Sequence, residues 1–334
     1  MTGTWCSSHP GYARIFAPGR LTVGLFLPLW RYDGDFDRMG GQGEVIVAAD
    51  RSGFGALWLR DVPLQVESTA DVGQVYDPWT YAGWLAAKTE HITLAFGSAI
   101  ITLRHPIDVA KQACSIDQLS GGRLVLGVAS GDRPAEFPAY GIDFESRGAR
   151  FRDSLDLIHR LVRTHGGQAD SPLGVVGSAN LIPKPAFGRI PMVVTGSARQ
   201  ELGWIAKHAD GWLVYPGPTS TAEGPRQLGD KIARWRELVP GEEFRPAATN
   251  EWIDLVEDPM HPPTPLRGGH ILQTGREGLI ELLGRWQDAG INHAALGVQY
   301  CIRPRKEVIH ELADEVLPHF PSLTPAVAPR EPVW

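Results

Sequence analysis

Short β-branched apolar runs alternate with longer stretches of helical periodicity along the chain. Leu21–Leu27 predicts a first strand stopped by Pro28, Gly41–Ser52 a helix, and Phe54–Leu59 a second strand. His91–Ala99 is the third, followed by a helix over Pro106–Leu119 whose proline sits in the first turn, where an N–H has no intrahelical partner to lose. Arg123–Val128 is the fourth. Phe151, Leu155, Ile158 and Val162 then recur at i, i+4, i+7 and i+11, the spacing of one buried helix face. Ile190–Val194 is the fifth strand, with a helix near Ser197–Lys207, and Gly211–Val214 the sixth, with a helix over Pro225–Leu238. Pro246–Val256 holds the seventh, interrupted by Asn250 and Glu251. Thr274-Gly275-Arg276-Glu277 reads as a capping box opening a helix that carries Leu279, Leu283 and Trp286 and ends at Gly290. Asn292–Val298 is the eighth strand, and Pro304 opens a last helix with Val308, Leu312 and Val316 inward.

Eight strands alternating with helices predict an α/β fold closed as a (β/α)₈ barrel rather than an open sheet. Arg123–Val128 is apolar on both faces, as a parallel strand covered by helices must be. The 334 residues suit one such barrel, roughly 250 residues plus loops, spanning residues 1–334 as a single domain. Gly166–Gly188 and Glu257–Gly269, rich in proline and glycine, read as long loops, and 321–334 as an extended proline-rich tail.

Composition narrows the partners. The net charge is −6, with no basic run, so neither nucleic acid nor an anionic membrane surface is an expected partner. Three dispersed cysteines, Cys6, Cys114 and Cys301, form neither a disulfide framework nor a metal motif. Residues 1–19 lack the apolar stretch of a signal peptide, and no segment approaches the ~20 apolar residues of a membrane span, so the expected location is the cytoplasm.

In a barrel of this kind the chemistry sits at the carboxyl ends of the strands. Those ends offer Trp30, Arg60, Asp61, Ser98, Ala99, Ser130, Gly131, Asp132, Gly196, Ser197, Tyr215, Gln299 and Tyr300. Missing are paired carboxylates in one loop, a His-rich metal set and a nucleophile elbow, so no metal and no hydrolase is expected. Small residues, hydroxyls, backbone amides and aromatics suit a planar, phosphorylated cofactor. Ser130-Gly131-Asp132 after strand four and Gly196-Ser197 after strand five are candidate phosphate cradles, although glycine and serine also serve plain tight turns. Asp61, Trp30 and His105 are the candidates for catalytic roles, Trp30 as a pocket wall; His105, between Arg104 and Pro106 at a helix entrance, equally suits a cap.

The blocks Ala17–Thr22, Leu59–Leu64, Val72–Trp79, Arg104–Ile107, Asp117–Leu124 and above all Gly127–Pro134, with Glu136-Phe137 and Tyr140-Gly141 after it, resemble the luciferase-like monooxygenase superfamily, in its luciferase-type oxidoreductase subfamily. The resemblance covers nearly the whole chain. It implies a (β/α)₈ barrel with reduced FMN at the carboxyl-terminal mouth, its phosphate on Ser130, Gly131, Gly196 and Ser197, with Asp132 and Tyr140 among the cofactor-binding residues. A bulge with a non-proline cis peptide is implied near Ser98 and Ala99, within Gly97–Ile101, under the ring. Where many relatives carry an arginine in the strand-four loop this chain has Ser130, leaving Arg133 or Arg199 for the anion; where many carry a histidine beside Asp61 it has Val62. The implied activity is a flavin-dependent monooxygenase using O2 on a small organic substrate. No Gly-x-Gly-x-x-Gly fingerprint with a downstream acid is present, so reduced FMN is expected from a separate, transiently bound reductase, and a homodimer is the implied assembly. The alternatives are a deazaflavin-dependent oxidoreductase on the same barrel, whose longer anionic coenzyme would look to Arg133, Arg199 and Arg303, and a flavin-binding protein without turnover.

Overall fold

The computed structural model describes residues 8–30, 40–66, 76–163, 169–241 and 243–325. In chain order its strands are β1 (Thr22–Phe26), β2 (Ala56–Leu59), β3 (Thr93–Phe96), β4 (Ala99–Ile100), β5 (Leu124–Ala129), β6 (Met192–Thr195), β7 (Gly211–Leu213), β8 (Ala247–Leu255), β9 (Thr264–Leu266), β10 (Ile271–Thr274) and β11 (His293–Gly297). The helices are α1 (Pro10–Ile15), α2 (Gln42–Arg51), α3 (Pro78–Lys88), α4 (Pro106–Leu119), α5 (Glu136–Ala139), α6 (Arg147–Arg163), α7 (Leu202–His208), α8 (Glu223–Leu238), α9 (Arg276–Ala289) and α10 (Arg305–Glu311). Eight strands pair in parallel in the order β1, β2, β3, β5, β6, β7, β8, β11, and β11 closes the ring: Ala294 lies between Val23 of β1 and Thr249 of β8. This is the (β/α)₈ barrel that the alternating pattern predicts.

Strand residues divide by parity between two cores. Phe26, Trp58, Val125, Leu213 and Trp252 point into the barrel, where Ala56, Ala95, Ala248 and Ala295 leave them room. Gly297 is required by the same packing, because a Cβ there would lie 1.9 Å from the Trp252 ring. The outward residues meet the helices, including Phe151, Leu155, Ile158 and Val162 of α6, all buried as their spacing predicts. Val308, Leu312 and Val316 of the last helical stretch are likewise fully buried.

Several local readings give way to tertiary contacts. Thr274 does not cap α9. It is the last residue of β10, its hydroxyl donates to the carbonyls of His261 and Gly275, and the Glu277 N–H is taken by the Pro259 carbonyl at 3.1 Å. The 257–269 stretch is more than a loop: β9 pairs antiparallel with β10, which extends β8 beyond its contact with β11. The helix after strand five begins at Leu202, not Ser197. An unexpected helix, α3, is capped by Asp77, whose Oδ1 accepts the Thr80 N–H at 2.9 Å.

Cys114 and Cys301 are buried and unbridged, and burial pushes the Cys114 thiol up to about 12, as befits a packing residue. Cys6 and residues 326–334 of the tail lie outside the described residues. Among the described residues no helix is long and apolar enough to cross a membrane, and no cluster of His, Cys, Asp and Glu is placed to hold a metal.

Candidate active site

A cavity of about 550 Å³ opens at the carboxyl ends of the barrel strands, within the ~300–1,000 Å³ usual for small-molecule sites. Its floor is the backbone after β3. The Gly97–Ser98 peptide is cis, in the segment where the resemblance places such a bond. Gly97 is packed so closely that a Cβ would come within 2.8 Å of Trp58 and 2.9 Å of Phe26. The Ser98 hydroxyl is hydrogen-bonded to that of Thr195, tying the end of β3 to the end of β6.

Asp61 holds this floor from the side. One carboxylate oxygen accepts the Ile100 N–H at 3.0 Å and Arg104 Nε at 2.9 Å; the other accepts Arg104 Nη2 at 2.7 Å. Asp61 lines the cavity with its side chain 1% exposed and both oxygens engaged.

Two loops, the candidate phosphate cradles, line one end of the cavity. Gly196, Ala198 and Arg199 all adopt left-handed backbone, with φ of 58°, 44° and 61°, so the turn after β6 is a compact reversal of the kind that gathers N–H groups. Trp212 Nε1 donates to the Gly196 carbonyl at 2.8 Å and Gln200 Nε2 to the Gly148 carbonyl at 2.8 Å, which anchors the turn to β7 and to α6. Ser197 Oγ accepts the Arg199 N–H at 3.2 Å and keeps its own proton for a ligand. After β5, Ser130, Gly131, Asp132 and Arg133 face the first turn across the cavity. Gly131 has φ 79°, and a Cβ there would lie 2.9 Å from Ile100 and 3.0 Å from Phe137. Arg147, at the start of α6, completes this end, its guanidinium 3.5 Å from the Phe144 ring centroid.

The opposite wall is aromatic: Phe26 and Trp252 stand with ring centroids 5.2 Å apart, with Arg60 against both and Asn250 and His270 beside them. One residue along β8 from Asn250, Glu251 faces the other way. It is 7% exposed; burial pushes its carboxyl up to about 7, against hydrogen bonds from the Thr219 side chain and the Trp252 N–H.

Of the residues expected from sequence, Asp61, Ser98, Ser130, Gly131, Asp132, Gly196 and Ser197 line the cavity. Four do not. Ala99 is buried in β4, where it pairs with Val128. Tyr140 is 43% exposed at the end of α5, outside the lining. Trp30 packs on the outer core. His105 caps α4: its Nδ1 accepts the Ile107 N–H at 3.3 Å, which leaves Nε2–H to donate to the Leu173 carbonyl at 3.1 Å. The sequence reading missed Phe26, Phe144, Arg147, Asn250, Trp252 and His270. The polar interruption of this strand at Asn250 and Glu251 was the available signal, and its inward-facing member, Asn250, lines the cavity.

The profile of luciferase-like monooxygenases matches residues 21–249, well over half of the chain. The chain belongs to the luciferase-like monooxygenase family. An uncharacterized protein of Mycobacterium tuberculosis is 28% identical over 186 residues, covering 48% of this luciferase-like chain and 66% of that protein. The 4-hydroxyprotoasukamycin monooxygenase of Streptomyces nodosus is 34% identical over 201 residues, covering 57% and 50%. The chain thus spans between half and two thirds of the length of these relatives. The barrel superposes on a monooxygenase of Streptomyces bottropensis with a TM-score of 0.73 at 17% identity, covering 90% of this chain and 99% of the other. It also superposes on an F420-dependent secondary alcohol dehydrogenase in complex with an F420-acetone adduct (TM-score 0.71, 18% identity, coverage 90% and 99%). The oxygenating constituent of 3,6-diketocamphane monooxygenase of Pseudomonas putida in complex with FMN follows (TM-score 0.69, 14% identity, coverage 90% and 98%). Among luciferase-like neighbours, then, both flavin and deazaflavin complexes occur, and membership supports an oxidoreductase.

Proposed function

We propose that the chain is a flavin-dependent monooxygenase that uses reduced FMN and O2 to oxygenate a small organic substrate. The observation that carries this reading is the convergence of the Gly196–Arg199 turn and the Ser130–Arg133 loop on a cavity floored by the Gly97–Ser98 backbone. The residues fit the cofactor: left-handed glycines bring main chain close to an anion, and the floor offers backbone rather than bulky side chain to a flat ring.

Ser197, Gly196 and the adjoining N–H groups would hold the phosphate, with Arg147, Arg133 and Arg199 supplying charge. The Gly97–Ser98 backbone would support the ring, kept in place by the Asp61–Arg104 pair and the Ser98–Thr195 hydrogen bond. Phe26 and Trp252 keep water from the substrate side. When bound, the reduced flavin supplies the electrons that activate oxygen. No side chain at the mouth is needed as a strong base, in keeping with Asp61 being committed to Arg104. The reading includes a separate flavin reductase, a cytoplasmic location and a homodimer formed through outer helices.

A deazaflavin-dependent oxidoreductase is the second reading, favoured by Arg147 joining Arg133 and Arg199 at the mouth. Arg303 does not join them: it is held by Glu311 at 2.6 Å and by the Val256 carbonyl. Anaerobic titration decides between the two. Reduced FMN is expected to bind about ten-fold or more tightly than reduced deazaflavin, a difference of about 1.4 kcal/mol. The reverse order selects the second reading, and binding of neither defeats both. Sedimentation of the same sample at twice the chain mass checks the dimer.

A further inference from the structure

We propose that the substrate presents an amide edge, an N–H beside a C=O as in a lactam, and that the Asn250 side chain recognises it. This rests on the reading of the mouth as the catalytic site and adds the class of substrate.

Several polar side chains of the cavity are already held. Ser98 and Thr195 are hydrogen-bonded to each other, Asp61 accepts from Arg104, and Arg147 donates to the Phe144 carbonyl. Asn250 and His270 differ: both line the cavity, and no hydrogen bond reaches either side chain from the described residues. His270 is exposed on the turn before β10, whereas Asn250 is half-buried within β8. The barrel itself leaves Asn250 unanswered. Its register partner on β11 is Ala295, which has no polar side-chain atom to offer. On the other side β7 ends at Leu213, level with Ala248, before it reaches Asn250.

Position separates Asn250 from the cofactor's supports. The order β1, β2, β3, β5, β6, β7, β8, β11 sets three strands between β3 and β8 in either direction. β8 therefore stands across the barrel from the Gly97–Ser98 floor, and the two candidate phosphate loops follow β5 and β6 instead. A flat ring resting on that floor turns its other face toward β8, and a substrate has to lie on the free face.

The chemistry of the side chain then selects the ligand. A carboxamide carries a donor and an acceptor side by side. Another amide edge, running the opposite way, satisfies both at once. A ketone reaches only the N–H group and leaves Oδ1 unanswered; a hydrocarbon leaves both. Leu213 and Trp252 line the cavity with Asn250, and beside such apolar walls a polar atom cut off from water by the ligand is costly.

The test uses the full chain saturated with reduced FMN under anaerobic conditions. Calorimetric titration compares 2-piperidone with cyclohexanone, six-membered rings that differ in the N–H. 2-Piperidone is expected to bind about ten-fold or more tightly. Asn250→Leu is expected to abolish the preference while FMN affinity stays within about two-fold; Asn250→Ala serves the same purpose should the leucine variant fail to fold. Equal binding of the two probes to the unaltered chain, or a preference that survives in the variant, overturns the proposal. So does a preference lost in His270→Phe but kept in Asn250→Leu. A ten-fold loss of FMN affinity in Asn250→Leu places the side chain on the cofactor and overturns it as well. Titration without FMN keeps the two readings apart: a 2-piperidone preference that depends on Asn250 there upholds the subsite even if flavin fails to bind.

Discussion

The two ends of the barrel are built from the same strands and treat polar groups in opposite ways. At the amino-terminal end α1 plugs the opening, inserting Tyr12, Ile15 and Phe16 into the inner core. His293 and Arg123 there are answered from within. His293 Nδ1 lies 2.6 Å from the Thr22 hydroxyl, which donates to the Ile15 carbonyl at 2.8 Å, so the imidazole proton sits on Nδ1 and Nε2 accepts Trp58 Nε1–H at 2.8 Å. Burial drives His293 down to about 3 and keeps it neutral. Arg123, lowered to about 10 chiefly by burial, spends its guanidinium on Ser120, Thr89, Ile92 and Ala86. At the carboxyl-terminal end, by contrast, Ser197 is exposed and keeps its proton, and the Gly196–Arg199 backbone turns left-handed against an open cavity. Closed hydrogen bonding at one end stores stability, and unfinished hydrogen bonding at the other is the capacity to bind.

If that division holds, changes at the plug should cost stability and spare the ligand, and changes at the mouth should do the reverse. The largest effect is expected at the plug. Arg123→Met removes five hydrogen bonds and strands buried carbonyls of α3 and the β5 approach. A loss of about 3–5 kcal/mol in urea unfolding is expected, with reduced-FMN affinity of the folded protein unchanged. A parallel fall in affinity would break the comparison.

A smaller effect, of opposite kind, is expected at the mouth. Ser197→Ala deletes a hydroxyl donor to a dianion, about 1.5–3 kcal/mol. Reduced FMN should bind about ten-fold or more weakly and riboflavin almost as before, with stability moved by no more than about 0.5 kcal/mol. Equal losses for FMN and riboflavin would remove Ser197 from the phosphate site.

The most gradual effects are slopes against pH, small over any one pH unit, and they sharpen the comparison through two buried groups of opposite sign. His293 is held near 3 in the fold against about 6.5 when unfolded. Its contribution is complete above pH 6.5 and is lost as the pH falls toward 3, by up to about 1.4 kcal/mol per unit. Glu251 is raised to about 7 from about 4.3; what it contributes is complete below pH 4.3 and is lost as the pH rises through 7. His293→Gln should flatten the acid limb of the stability profile by one proton, leaving His159, also near 3, to titrate. Glu251→Gln should flatten the limb between 4.3 and 7. Unchanged profiles in urea titrations at successive pH values would show that neither group is held as described.

How much of this was legible beforehand follows from the range of the signals. All eight barrel strands and the buried stripes of α6 and the last helix announce themselves by period, because burial on a strand or helix face is a local repeat. The two turns that line the cavity after β5 and β6 were legible through glycine and serine after strand ends. Arg147 was not, because it stands at the start of a helix and not at a strand end.

The residue pattern by itself determined the barrel, the end at which its chemistry lies and the small-residue floor at Gly97 and Ser98. Only the tertiary structure decided what each polar group at the mouth is free to do. Asp61 is a candidate base until Arg104, 43 positions along the chain, takes both its oxygens. Thr274 is a cap until β10 ends on it, and Trp252 becomes a wall of the cavity only when ring closure brings β8 to the same mouth as the loops after β5 and β6. Period and propensity act over a few neighbouring residues, whereas a hydrogen-bond partner is assigned by strand register and closure, which are properties of the whole barrel.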